Sequence, residues 1–317
     1  MTAVIPQPHI PTFKSGTPHI DEVGDGLFAY IQPDGTWSIN NPGFIVGPDG
    51  VVSVDTCETA QRTQAYIDAV RDFTGREIRT VVNTHHHPDH TAGNGMLPRA
   101  TIIGHEQTRA EMIAHAEIEL PPGIFEEIDN GNPPFTPPFL TYTDGMTLWL
   151  GDRRCEISYV GRPAHTTNDS IVWVADQSVL YAGDLLFKGG TPFLLSGSVT
   201  GLIDVLENVI RPLGATTIVP GHGPVCGTEV IDETVDYLQF VSKAARDARA
   251  AGVPPLDAAR ELNLGRFGEW TDTERIVGNL HRAMAELDGL PAGGPLDVPK
   301  VFQDMVTYNG GPLPVHA

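Results

Sequence analysis

The sequence predicts an α/β protein in which two β-sheets pack face to face and helices cover their outer sides. Two observations carry this reading. The chain divides into two strand-rich halves, each followed by amphipathic helices. The histidines and aspartates that stand out also fall at the ends of β-like runs, where layered α/β folds gather their active sites. The chain has 317 residues, 40% of them hydrophobic and 19% charged, which is a globular composition with room for one large domain.

Taken in order, residues 1–24 are rich in proline and polar residues and read as an extended arm. Leu27–Ile31, Gly43–Val46 and Val51–Val54 are short β-like runs. A helix is expected over 58–73, with Tyr66, Val70 and Phe73 on one face and Gly75 as its stop. Ile78–Val82 is the next strand and runs straight into a histidine-rich segment. Thr101–Ile103 reads as a strand and His105–His115 as a helix. Residues 116–141, with six prolines and three phenylalanines, are too irregular for an element and too apolar for a bare linker. A long loop of that kind in a compact domain is usually functional, so it is expected to act as a lid or pocket insertion.

The second half repeats the pattern. Thr147–Leu150, Cys155–Val160, Ser170–Val174 and Val179–Ala182 read as strands, followed by a helix at 201–210 that stops before Pro212. Thr217–Val219 is a strand ending in P-G-H-G-P, and a long helix covers 229–250. A last helix, 271–288, opens with the capping-box pattern Thr271-x-x-Glu274 and carries Ile276, Leu280, Met284 and Leu287 on one face. That stripe must be buried on its own domain or on a second copy of the chain. The remainder, 290–317, is a Gly/Pro-rich tail. The organisation is thus an arm (1–24), a catalytic domain (25–250) and a C-terminal helical extension with tail (251–317), the last a candidate homo-oligomer contact.

Twenty Lys and Arg against forty Asp and Glu give a formal charge of −20, a field that repels nucleic acid. Cys57, Cys155 and Cys226 are odd in number and far apart, which suits a reducing cytoplasm better than a disulfide framework. The first residues show neither a basic nor an apolar leader region, and no apolar run reaches the length of a membrane span. The expectation is a cytoplasmic protein with a small-molecule substrate and no membrane or nucleic-acid partner.

The chemistry is concentrated in T-H-H-H-P-D-H at 84–90. His85 and His87 are two apart on extended backbone, so their rings point the same way, and Pro88 keeps the preceding residue extended. Asp89 and His90 follow at once. So many imidazoles and carboxylates in so few residues make a poor core, because each would need its own buried partner, and together they suit zinc, iron or manganese. His165, Asp184 and His222 each end or follow a strand further along. By alternation His86 points away from this group, to the surface or to a supporting position behind the ligands.

The set H-x-H-x-D-H at 85–90, His165, Asp184 and His222 resembles the metallo-β-lactamase superfamily, in its glyoxalase II-like and lactonase-like pattern. The likeness covers roughly residues 25–250. It implies a four-layer αββα sandwich and two zinc ions per chain, with iron or manganese as other metals. One metal would be bound by His85, His87 and His165, the other by Asp89, His90 and His222, with Asp184 bridging. It implies that Asp55 supports the ligands from behind; as a sequence feature Asp55 equally suits the N-cap of the helix at 58–73. Asn168 stands where the family often has Gly; Asn tolerates a left-handed backbone, so the turn is expected to survive.

The implied activity is hydrolysis of a carbonyl-centred bond (ester, lactone, thioester or amide) in a small organic molecule, with Asp89 orienting the nucleophile and moving its proton. An alternative on the same fold is a mononuclear iron dioxygenase acting on a thiol or persulfide. Phe125, Phe135, Phe139 and Phe193, with the run 188–195, are the candidates for the pocket wall.

Overall fold

The computed structural model describes residues 5–116 and 120–317; the rest of the arm and of the 116–141 insertion lies outside the described residues. Strands β1 (His19–Gly24), β2 (Leu27–Ile31), β3 (Gly43–Gly47), β4 (Gly50–Val54), β5 (Ile78–Val82), β6 (Thr101–His105) and β7 (Leu140–Tyr142) form one sheet in that order. β1 to β4 are antiparallel, and β4 to β7 run parallel. The second sheet has the order β12-β11-β10-β9-β8. Its strands are β8 (Gly145–Leu150), β9 (Arg153–Tyr159), β10 (Ser170–Val174), β11 (Val179–Phe187) and β12 (Thr217–His222). Only β11 and β12 in it are parallel. The helices are α1 (Ala60–Thr74), α2 (Pro88–Thr91), α3 (Glu106–His115), α4 (Val199–Val205), α5 (Glu229–Ala251), α6 (Pro255–Glu261), α7 (Arg275–Leu287) and α8 (Val298–Asn309).

Side-chain alternation explains the layering. Leu27, Ala29 and Ile31 of β2 face Val172, Val174 and Val179 of the other sheet in a shared inner core. Phe28 and Tyr30, the residues between, face outward and pack with Tyr66, Ala69 and Val70 of α1. On the other outer side, Ile171, Trp173 and Leu180 pack under Leu202, Leu238, Ile276 and Leu280 of the later helices. The result is the four-layer αββα sandwich. The sheets approach so closely that Tyr181 lies where a Cβ of Gly43 would stand, which accounts for glycine there.

Several local expectations are corrected. The arm ends in a true edge strand, β1. Thr59 caps α1, accepting from the Arg62 N–H, so Asp55 is not the cap. The helix after Ser198 does not stop before Pro212; it passes through a π turn and a 3₁₀ turn to Leu213. The capping box at 271–274 does not form, because the buried Trp37 indole donates to Glu274 at 2.6 Å and α7 begins only at Arg275. The Gly/Pro-rich tail contains α8, whose signals were present: Asp297 accepts from the Lys300 N–H, Pro299 lies in the first turn and Gly310 closes the helix. The stripe on α7 is covered within the chain: Ile276 and Leu280 are buried, Met284 is partly buried and Leu287 is exposed. Among the described residues no helix is long and apolar enough to cross a membrane.

Candidate metal centre

The carboxyl ends of β4, β5, β11 and β12 meet at one edge of the sandwich, where open α/β sheets bind ligands. β5 delivers His85 and His87, and the short α2 carries Asp89 and His90. The loop between β9 and β10 brings His165. β11 does not simply end at Asp184; its pairing with β12 slips around Gly183, and the strand runs on to Phe187. Gly183 has a positive φ of 52°, and a Cβ there would lie 2.7 Å from Thr84 Oγ1. A Cβ on Gly221 would collide with Asp184 Oδ1. Two glycines thus make the space in which one carboxylate can lie between the sheets.

The donor atoms form two groups that share Asp184, each with all its donors within 4.8 Å of one another. In the first, His87 Nδ1 lies 3.1 Å from His85 Nε2 and 2.9 Å from His165 Nε2. Asp184 Oδ2 is 3.3 Å from His165 Nε2 and 3.9 Å from His85 Nε2. In the second, Asp184 Oδ1 is 3.0 Å from His90 Nε2, and Asp89 Oδ2 is 3.6 Å from His90 Nε2 and 3.3 Å from His222 Nε2. A tetrahedral ion bound at 2.0–2.1 Å holds its donors about 3.3 Å apart, so both groups have the spacing of a metal cage. His90 Nε2 and Asp184 Oδ1 face each other at 3.0 Å but not in hydrogen-bonding geometry, and both are buried with no other partner. Such atoms are costly unless something else satisfies them, and a cation does so. The donors therefore fit a pair of metal ions.

The outer ring nitrogens of His85, His90, His165 and His222 are held from behind, which fixes their tautomers. His90 Nδ1 donates to Asp55 Oδ2 at 2.8 Å, His165 Nδ1 to the Phe193 carbonyl at 2.6 Å and His222 Nδ1 to the Gly35 carbonyl at 3.1 Å. His85 Nδ1 meets Thr84 Oγ1 at 3.0 Å, and Thr84 in turn donates its N–H and hydroxyl to Asp55. Asp55 performs this with a φ of 63°, a left-handed conformation that Asp tolerates better than most residues. His87 differs in turning Nδ1, not Nε2, toward the others.

Electrostatics separate the two groups. Burial, then the neighbouring imidazoles, hold His85 and His87 well below the usual histidine range. Burial opposes protonation of His90 and His222 too, but the facing carboxylates outweigh it; His90 is held well above its usual value and His222 is pushed up to about 9. Against burial, the imidazoles hold Asp184 well below the ordinary carboxylate range.

All seven metal-type residues thus converge, with Asp55 behind them. His86 does point away from the group, but it is buried rather than at the surface, and burial lowers its pKa to about 3. Asn168 donates to His86 at 3.0 Å and receives the Thr108 hydroxyl, so its side chain and not a left-handed backbone explains it. The four phenylalanines are not brought together. Phe125 and Phe193 pack edge-on against Trp37, whereas Phe135 and Phe139 are exposed, Phe139 to 85%. Sequence reasoning missed the Gly35 and Phe193 carbonyls, which no residue type signals. It also missed Glu58, whose carboxyl burial and Asp89 push up to about 7.

Comparison with known proteins agrees with this geometry. A bacterial hydroxyacylglutathione hydrolase from Rhodospirillum rubrum is 30% identical over 63% of this chain and 68% of its own length. A type 2 metallo-beta-lactamase from Bacteroides fragilis is 23% identical over 71% of this chain and 88% of its own. The solved metallo-beta-lactamase from Pontibacter korlensis shares the fold with a TM-score of 0.57 at 18% identity, over 70% of this chain and 99% of that one. The family model described as the metallo-beta-lactamase superfamily matches residues 35–222, more than half of the chain and every residue of the two donor groups. The chain belongs to the metallo-beta-lactamase superfamily and is a metal-dependent hydrolase.

Proposed function

We propose that the chain is a dinuclear zinc hydrolase that cleaves a carbonyl-centred bond (ester, lactone, thioester or amide) in a small organic molecule. The observation that carries the reading is the pair of complete donor groups sharing Asp184. Zinc bound there would supply a water acidified to a pKa near 7 and a Lewis acid for the carbonyl oxygen. His85, His87 and His165 would hold one ion, Asp89, His90 and His222 the other, and Asp184 would bridge them.

Asp89 is the one ligand candidate whose carboxylate keeps appreciable exposure, 14%, while reaching His222 Nε2. That position suits it to orient the attacking water and to carry its proton to the leaving group. Burial of His85, His90, His165, Asp184 and His222 excludes bulk water from most of the centre and strengthens the charge interactions there. The alternative of a mononuclear iron dioxygenase needs one donor group only; the complete second group, with a buried orphan on His90, weighs against it.

A net charge of −20 disfavours a polyanionic substrate. The hydroxyacylglutathione hydrolase relative makes a thioester the first bond to try. The test is the zinc-loaded protein assayed on thioester, lactone, aryl ester and β-lactam substrates, with single-stranded RNA and DNA as controls. Turnover of at least one carbonyl substrate, abolished by chelator, is expected. Metal-dependent cleavage of the nucleic acids with no carbonyl turnover would overturn the proposal.

A further inference from the structure

The C-terminal extension lies outside the matched region, yet it reaches two histidines of the centre through backbone peptide units, once directly and once by way of Asp34. Asn279 of α7 is fully buried and spans the backbone around Phe193: its Oδ1 accepts from the Leu194 N–H at 3.0 Å and its Nδ2 donates to the Pro192 carbonyl at 2.8 Å. The Leu194 N–H and the Phe193 carbonyl belong to one planar peptide unit. That carbonyl is the acceptor for His165 Nδ1. Gripping the N–H edge of the unit therefore fixes where its oxygen points, and so the ring of His165.

The tail repeats the device on His222. The peptide unit Gly35–Thr36 offers its carbonyl to His222 Nδ1, and its N–H donates to Asp34 Oδ1 at 3.2 Å. The other oxygen of Asp34 meets His316 Nδ1 at 2.8 Å. Arg62, buried beneath, donates to the His316 carbonyl at 2.7 Å and anchors the tail there. Leu313 pairs with the insertion, donating to the Ile124 carbonyl and accepting from the Glu126 N–H. The backbone of the 220–223 turn is held separately, by Asn41 and Lys188. What the tail adds is the orientation of the ring.

We propose that the C-terminal extension positions one histidine of each donor group through a single peptide unit, Asn279 acting on His165 and His316 acting on His222, and so sets the two metal affinities independently. Asn279 and His316 are positioning residues; neither touches the ions. The inference rests on the reading of His165 and His222 as metal ligands.

The test is a competition titration of chelator-treated protein with zinc against a chromophoric chelator, which resolves two dissociation constants in the wild type. His316→Ala should weaken one site about 2- to 10-fold, the effect of losing one hydrogen bond. Asn279→Ala should weaken the other about 10-fold or more, as loss of ligand support does. In a His222→Ala background His316→Ala should have no further effect while Asn279→Ala keeps its own. His316→Gln, which retains a donor toward Asp34, should restore the wild-type constants. His281→Ala breaks a 2.9 Å contact to Asp304 within the same extension and should lower Tm while leaving both constants unchanged. Two wild-type constants that do not move in His316→Ala or Asn279→Ala, or variants that only melt earlier, would overturn the inference alone. A wild type that binds fewer than two ions would overturn the reading beneath it and the inference with it.

Discussion

The two donor groups are built from nearly the same side chains and behave differently. The group of His85, His87 and His165 has three imidazoles and reaches a carboxylate only through Asp184; burial keeps His85 and His87 neutral and ready to bind. The group of Asp89, His90 and His222 has a carboxylate of its own, and its imidazoles hold protons tightly. In the first, His85 and His87 offer an ion imidazoles that carry no proton to displace. In the second an ion must displace protons, so metal binding there is coupled to pH. One arrangement of histidines and aspartates therefore offers two unequal positions, and the difference comes from where the carboxylates lie.

The largest expected effect removes what the positions share. Asp184→Asn takes a charged oxygen from each, and we expect loss of much of the metal and nearly all turnover; wild-type metal content at wild-type rate would remove Asp184 from the centre. Removing the scaffold common to both comes next. Truncation after Gly268 discards Ile276, Val277 and Leu280, all fully buried, and should give aggregated protein. The milder Leu280→Ala should cost about 2–5 kcal/mol, read from denaturant unfolding. A soluble, fully active truncate would show that neither position needs the extension.

A subtler effect separates the positions by pH. In metal-free protein His222 has a folded pKa raised from 6.5 to about 9, so its contribution to stability is complete below 6.5 and lost as pH rises toward 9. His85 and His87 are depressed, so their contribution holds above 6.5 and is lost as pH falls below it. The Tm of chelator-treated protein should therefore peak near pH 6.5 and fall on either side. Zinc replaces the proton on His222, so loaded protein should show no fall between 6.5 and 9. A metal-free Tm that rises steadily through that window would contradict the contrast between the positions.

The smallest effect concerns the insertion. Phe135→Ala and Phe139→Ala remove exposed rings and should shift stability by less than about 0.5 kcal/mol. A raised KM for bulky substrates with unchanged metal binding would place these rings at the pocket; no change in KM would leave them as surface.

Much of this was legible in the sequence, and the reasons differ by residue. Near-continuous apolar runs such as Leu27–Ile31 and Ser170–Val174 coincide with strands because each must satisfy two cores, one on either face. The H-x-H-x-D-H segment was legible because its donors are adjacent. Asp184 and His222 could be singled out, but the slip at Gly183 that places Asp184 is a property of strand pairing that single-strand patterns do not carry. The capping box failed because a distant indole, Trp37, took Glu274. Helix α8 was hidden by the glycines and prolines around it, although its cap and apolar spacing were normal. The carbonyls of Gly35 and Phe193 could not be read at all, since any residue has one.

The number of bound ions tests the dinuclear centre most directly. Elemental analysis of protein purified without chelator should find close to two zinc ions per chain, one for each donor group. A reproducible single iron per chain would contradict it.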